Sequence, residues 1–245
     1  MSKDVIVVGG GYFGCAISYF LAKNGLKTLL LEQKEIGSGA SGGNFGCVQV
    51  QDCELGLSLE LTLAGYKKMQ TMEEELESDL EYREMGSLMV AEKAEEMTYL
   101  QEHAQVKKDN GLELELLDKE ELRRIEPNLG HEHVIGASYS KQGHVNGFKL
   151  MNAYVKKGKH HGLELKEHAK VKRLLVEGQK SKGVELCSGE KIYAENVVLA
   201  AGAWTKELCS GIGLKVPVEY VKAEAFVTEQ IKPFLNNYFS LASFF

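Results

Sequence analysis

The chain has 245 residues, 44% apolar and 26% charged, which is enough to bury a core in one large domain or two intertwined ones. Its net charge of −6 argues against a nucleic-acid or anionic-membrane surface. Cys15, Cys47, Cys53, Cys187 and Cys209 form no C-x-x-C and are odd in number, which suits reduced thiols in a cytoplasmic protein better than a disulfide framework or a zinc site.

Met1-Ser2-Lys3-Asp4 runs straight into the first predicted strand, so no targeting segment is expected, and no apolar run approaches the ~20 residues of a membrane helix. Val5-Ile6-Val7-Val8 is a β-branched run suited to a strand buried on both faces. Gly9-Gly10-Gly11-Tyr12-Phe13-Gly14 then fits G-x-G-x-x-G, Cys15 to Leu21 has helical apolar spacing, and Asn24-Gly25 supplies a stop. Thr28 to Leu31 is a second strand, ending on Glu32. In such a unit Gly9 permits the tight turn, Gly11 lets backbone approach a pyrophosphate, and Gly14 lets the helix lie against the sheet. The helix start offers free N–H groups and a positive dipole end to phosphates. Glu32, at the carboxyl end of the second strand, can accept hydrogen bonds from a ribose 2′-OH and would repel a 2′-phosphate.

Gly37-Ser38-Gly39-Ala40-Ser41-Gly42-Gly43-Asn44-Phe45-Gly46 has no core-forming pattern and reads as a loop whose backbone can approach a ligand. Leu55 to Leu80 reads as helix, Tyr82 to Ala91 as strand, Ala94 to Asn110 as helix and Leu114 to Leu117 as strand. Asp118 and Glu121 make a capping box for a short helix that Pro127 ends. Val134 to Tyr139 is a strand, and Asn146-Gly147 turns into a helix reaching His161, whose basic end, Lys156 to His161, favours the helix dipole. Lys170 to Glu177, Gly183 to Cys187 and Lys191 to Tyr193 form an antiparallel meander. Asn196 to Trp204 is a further apolar strand ending in small residues, and Val216 to Glu229 has strand character. The seven histidines are scattered and no metal site is expected.

Gly9-x-Gly11-x-x-Gly14 with Glu32, the Gly37 to Gly43 loop, Gly143-His144-Val145-Asn146-Gly147, the meander and Val198-Leu199-Ala200-Ala201-Gly202-Ala203-Trp204 together resemble the FAD-dependent amino-acid oxidase family. That group includes glycine oxidase, sarcosine oxidase and D-amino-acid dehydrogenase. Gly42-Gly43-Asn44 and Gln49-x-Gln51-Asp52 are most similar to the β subunits of opine and hydroxyproline dehydrogenases. The resemblance implies an α/β fold, a Rossmann-like FAD-binding domain interleaved with a mixed α+β substrate domain and truncated at its C-terminus. The expected division is 1–80 (FAD-binding unit and following helix), 81–140 (substrate domain), 141–212 (return to the FAD-binding domain) and 213–245 (second substrate-domain segment). Members often have Asp-Pro where this chain has Asn146-Gly147, and they continue beyond Phe245. The apolar end, Phe239 to Phe245, reads as a strand cut partway through its sheet.

The resemblance further implies noncovalent FAD, since no histidine lies in Gly37 to Gly46 to form a flavin link. Gly9, Gly11, Tyr12, Phe13 and Gly14 would face its pyrophosphate, and Glu32 and Gln33 its adenosine ribose. Ala40, Ser41, Gly43, Asn44 and Phe45 would run toward the flavin, Val171 would hold the adenine through its backbone, and Ala201, Gly202 and Trp204 would close over the cofactor. The implied reaction is oxidation of the C–N bond of an amino acid or secondary amine, with oxygen or another carrier as electron acceptor and with further subunits as partners. No catalytic residue is assigned. The alternatives are a non-catalytic FAD-binding subunit or truncated pseudoenzyme and, with the meander and second glycine-rich loop against it, an NAD-dependent dehydrogenase.

Overall fold

A computed structural model describes residues 2–130 and 132–242. In chain order the elements are β1 (Lys3–Val8), α1 (Tyr12–Lys23), β2 (Thr28–Leu31), β3 (Cys47–Val48), α2 (Leu57–Met69), α3 (Met72–Leu76), β4 (Arg83–Ala91), α4 (Ala94–Asp109) and β5 (Glu115–Asp118). They continue with α5 (Lys119–Ile125), β6 (Gly136–His144), α6 (Gly147–His160), β7 (Glu164–Lys166), β8 (Val171–Glu177), β9 (Lys180–Leu186), β10 (Lys191–Leu199), α7 (Thr205–Ser210) and β11 (Asn237–Leu241). The chain divides into two compact units, residues 1–45, 74–80 and 146–226 in one, and 46–73, 81–145 and 227–245 in the other.

The first unit is built on a six-stranded sheet in the order β7-β2-β1-β10-β9-β8. β7, β2, β1 and β10 are parallel, while β10, β9 and β8 form an antiparallel meander. β1 lies inside this sheet with Ile6 and Val7 fully buried, which is why its sequence is apolar without alternation. Val8 pairs with both Leu31 and Leu199, so β1, β2 and β10 end at the same level. The strands read separately as Lys191 to Tyr193 and Asn196 onward are one element. β10 pairs through its first half with β9 and through its second with β1, and buried Ala194 carries it across. α1 packs on α6 through Tyr19 and Tyr154, whose ring centroids lie 5.6 Å apart.

The second unit holds a five-stranded sheet, β11-β4-β6-β3 with β5 beside β6. β4 and β6 pair antiparallel from Arg83–His144 to Ala91–Gly136, so β6 is longer than its sequence suggested. One face buries Leu88, Val90 and Ala137 with Leu117, Leu122 and Val134. On β4 and β6, Ser87 Oγ accepts from Gln51 Nε2 at 2.8 Å and Ser138 Oγ donates to Gln51 Oε1 at 3.0 Å, so the buried glutamine is satisfied. The Asp118–Glu121 capping box forms as expected, with Asp118 accepting from the Glu120 and Glu121 amides.

Four expectations change. Segment 46–73, assigned with the first domain, belongs to the second unit because Val50 and Leu59 share a core with Ala104, Leu112 and Leu114. The long helix predicted over Leu55 to Leu80 is broken between Met69 and Met72 into α2 and α3. The return to the first unit begins at 146 and lasts to 226, against the expected 141 and 212. Val216 to Glu229 has no regular structure; with Val221 and Phe226 more than four-fifths exposed, its apolar residues find no sheet surface to pack on. Part of the expected terminal strand, Phe239 to Leu241, lies in β11, parallel to β4 at the sheet edge. Ser243 to Phe245 lie outside the described residues.

Candidate functional site

The site grows from the carboxyl ends of β1, β2 and β10 in the first unit. Gly9 leaves β1 with φ +109°, and a Cβ there would overlap the Ala200 carbonyl oxygen beyond β10. A Cβ on Gly14 would overlap the Gly9 carbonyl, so its absence is what seats α1 directly on the turn. A Cβ on Gly10 would come within 2.7 Å of Ile36 Cδ1, and one on Gly11 within 2.7 Å of Ser41 Oγ. Gly11 is the N-cap of α1 and gives it no side-chain cap, and the first turn carries no acidic residue. The Tyr12 amide donates to Ser41 Oγ at 3.1 Å, which ties the second glycine-rich loop to the helix start. The positive end of α1 thus opens beside the glycine turn.

Glu32 follows β2 and is only 8% exposed. Its Oε2 accepts from the Gly10 amide at 2.7 Å and its Oε1 from the Lys34 amide at 2.8 Å. The carboxylate therefore holds the turn after β1 and the segment after β2 in fixed relation. Cys15 lies beneath, its thiol donating to the Gly10 carbonyl at 3.6 Å. Burial, reinforced by the charges of Glu32 and Glu167, pushes that thiol up to about 12, so it remains protonated and packs as a small apolar group.

These elements enclose a cavity of about 750 Å³. Of the residues picked from sequence, Gly9, Gly11, Glu32, Gln33, Ala40, Ser41, Val171, Ala201, Gly202 and Trp204 line it. Tyr12, Phe13, Gly14, Gly43, Asn44 and Phe45 do not. Gly14 acts from behind the turn. The Tyr12 hydroxyl sits 3.3 Å from Asn44 Oδ1 and occupies the space a Cβ on Gly147 would need, which explains Gly147 where Asp-Pro was the commoner pattern. Phe13 and Phe45 are 79% and 58% exposed.

Sequence reasoning missed part of the wall, including Gly10, Lys34, Lys170, Lys172, Cys187, Glu207 and Leu208. Gly10 was visible as the middle of the glycine run. Lys34 stands next to Gln33 in the segment after β2; the others follow only from the strand order that sets β8, β9 and β10 side by side, and α7 is brought against this sheet by Leu208, which packs on the cluster containing Val171. Among the described residues no group of three or more His, Cys, Asp or Glu is placed to hold a metal ion, and no helix is long and apolar enough to cross a membrane.

Comparison with known proteins agrees with this geometry. The family model described as FAD dependent oxidoreductase matches residues 4–242. Glycine oxidase of Geobacillus kaustophilus is 31% identical over 95% of this chain and 63% of its own length. The beta subunit of sarcosine oxidase from an Arthrobacter species is 28% identical over 95% of this chain and 59% of its own. Among solved structures, L-proline dehydrogenase from P. horikoshii superposes with a TM-score of 0.82 at 27% identity, covering 89% of this chain and 58% of that one. The chain thus spans about three-fifths of the length of these relatives.

Proposed function

Because the chain belongs to the FAD-dependent oxidoreductase family, we propose that it holds FAD in the glycine-walled cavity and oxidises the C–N bond of an amino acid or secondary amine. The observation that carries the reading is a single cavity joining the Gly9–Gly11 turn at the start of α1 and the buried carboxylate of Glu32. The residues present fit the cofactor. A Cβ would strike the Ala200 carbonyl at Gly9, Ile36 at Gly10 and the Ser41 hydroxyl at Gly11, so the turn can line the cavity only as bare backbone, and the α1 terminus favours the negative pyrophosphate. Glu32, anchored by two amides, keeps lone pairs for ribose hydroxyls beside Gln33.

In this reading Val171 lies along the adenine, Ala201 and Gly202 close the cavity with Trp204, and Ala40 and Ser41 lead toward Gly43, Asn44 and Phe45 at the flavin end. Tyr12, Phe13 and Gly14 shape the helix start. The first unit serves as the FAD-binding domain and the second as the substrate domain. When bound, FAD supplies the hydride acceptor, flavin N5, for the α-hydrogen of the amine, and water then hydrolyses the imine. The chain's own contribution is to hold the cofactor in one register and exclude water from its pyrophosphate. The relative named as one subunit of sarcosine oxidase supports association with a further subunit, and five free cysteines accord with a cytoplasmic location.

The test is anaerobic addition of glycine, sarcosine, D-alanine, proline and hydroxyproline to the FAD-loaded chain. Bleaching of the flavin bands by any of these amines supports the reading. Bound FAD that none of them reduces would support the non-catalytic flavin-binding alternative.

A further inference from the structure

From the wall of the same cavity, we infer that Glu207 recognises the adenine 6-amino group of the cofactor, held in position by Tyr220. The inference rests on the FAD reading above and adds a specificity-determining residue to it. Glu207 lies on α7 and lines the cavity together with Val171, Lys172 and Leu208. α7 packs against β8, and Leu208 joins the core cluster that holds Val171 together with Val8 and Leu31. Glu32 and the glycine turn are furnished by the ends of β1 and β2.

An ionised carboxylate only accepts hydrogen bonds, so Glu207 selects for a donor and against phosphate or a carbonyl oxygen. Among the parts of the dinucleotide, the adenine edge offers such a donor, its 6-amino group, and in the FAD reading Val171, on the same cavity wall, holds the adenine through its backbone. The carboxylate is also oriented. The Tyr220 hydroxyl donates to Glu207 Oε1 at 3.0 Å, which restrains the side chain at the cavity wall. No glycine motif marks either residue; Tyr220 comes from the irregular segment beyond α7.

The experiment measures binding of ADP and of inosine diphosphate to the full chain, which differ at purine position 6 by an amino donor against a carbonyl acceptor. The wild-type chain should prefer ADP by about tenfold, in line with a hydrogen bond to a charged group. Glu207→Gln, whose amide can donate as well as accept, should remove most of that preference, and Tyr220→Phe should reduce it by about threefold. FMN, which lacks the adenosine, should bind all three proteins alike. Equal affinity for the two diphosphates in the wild type, or a preference that survives Glu207→Gln, overturns the assignment while leaving the FAD reading intact. A wild-type chain that binds neither ADP nor FAD overturns both.

Discussion

Two sets of glycines in the first unit use the same residue for different physical ends. Gly25, Gly178 and Gly189 turn the chain with φ between +61° and +88°, and a Cβ on any of them would meet nothing within 4 Å. Gly9 and Gly14 are closed in: their missing side chains are replaced by backbone beyond β10 and of the turn itself. The first set is required by handedness alone, Gly14 by contact, and Gly9 by both. A glycine that satisfies handedness can be exchanged at modest cost, whereas one that satisfies contact between backbones cannot be exchanged without moving a strand or a helix.

Substitutions should separate the two sets. Gly14→Ala should have the largest effect, because its Cβ falls on the Gly9 carbonyl and neither backbone can yield. A loss of about 3 kcal/mol in urea unfolding is expected, with FAD uptake abolished. Glu32→Ala comes next, leaving the Gly10 and Lys34 amides without their acceptor, for a loss of about 1–3 kcal/mol in the same measurement. Gly11→Ala probes the boundary between the sets, since its Cβ meets only the Ser41 hydroxyl, a side chain that can rotate. Its stability should fall by no more than about 1 kcal/mol while FAD affinity falls at least about tenfold, the signature of a residue needed for the ligand and not for the fold. Gly178→Ala should be the mildest, at about 1 kcal/mol with no change in FAD affinity, and Gly178→Asn milder still. If Gly178→Ala weakened FAD binding as much as Gly11→Ala, the distinction drawn from the contacts would fail.

The same contrast explains what could be read in advance. β1, α1, β2 and the three glycines were legible because each leaves a local mark: a β-branched run, helical spacing and a positive-φ turn within thirty residues of one another. The helix after Asp118 was legible for the same reason, its capping box lying within four residues. Pairing that depends on distant partners was not. β7 has three residues and reads as loop until β2 takes it as a neighbour, and β10 was split because its two halves serve different partners. The grouping of segment 46–73 was misread since nothing near Val50 and Leu59 in sequence points to Ala104 and Leu112. Along the cavity wall, Gly9, Gly11, Glu32 and Gln33 were picked out in the sequence, while Lys172, Cys187 and Glu207 reach it only through sheet order and the docking of α7. Tyr12 was expected to face the pyrophosphate, whereas its hydroxyl takes the space a side chain on Gly147 would need.

If the glycine turn, Glu32 and the wall formed by β8 and α7 compose one FAD site, the visible spectrum of the purified chain, taken after incubation with FAD and removal of unbound cofactor, must show it. The expected result is a yellow protein with resolved flavin bands at one FAD per chain, lost in Gly11→Ala at equal folded fraction. A folded chain that stays colourless, or retains FAD equally well with Gly11→Ala, would contradict it.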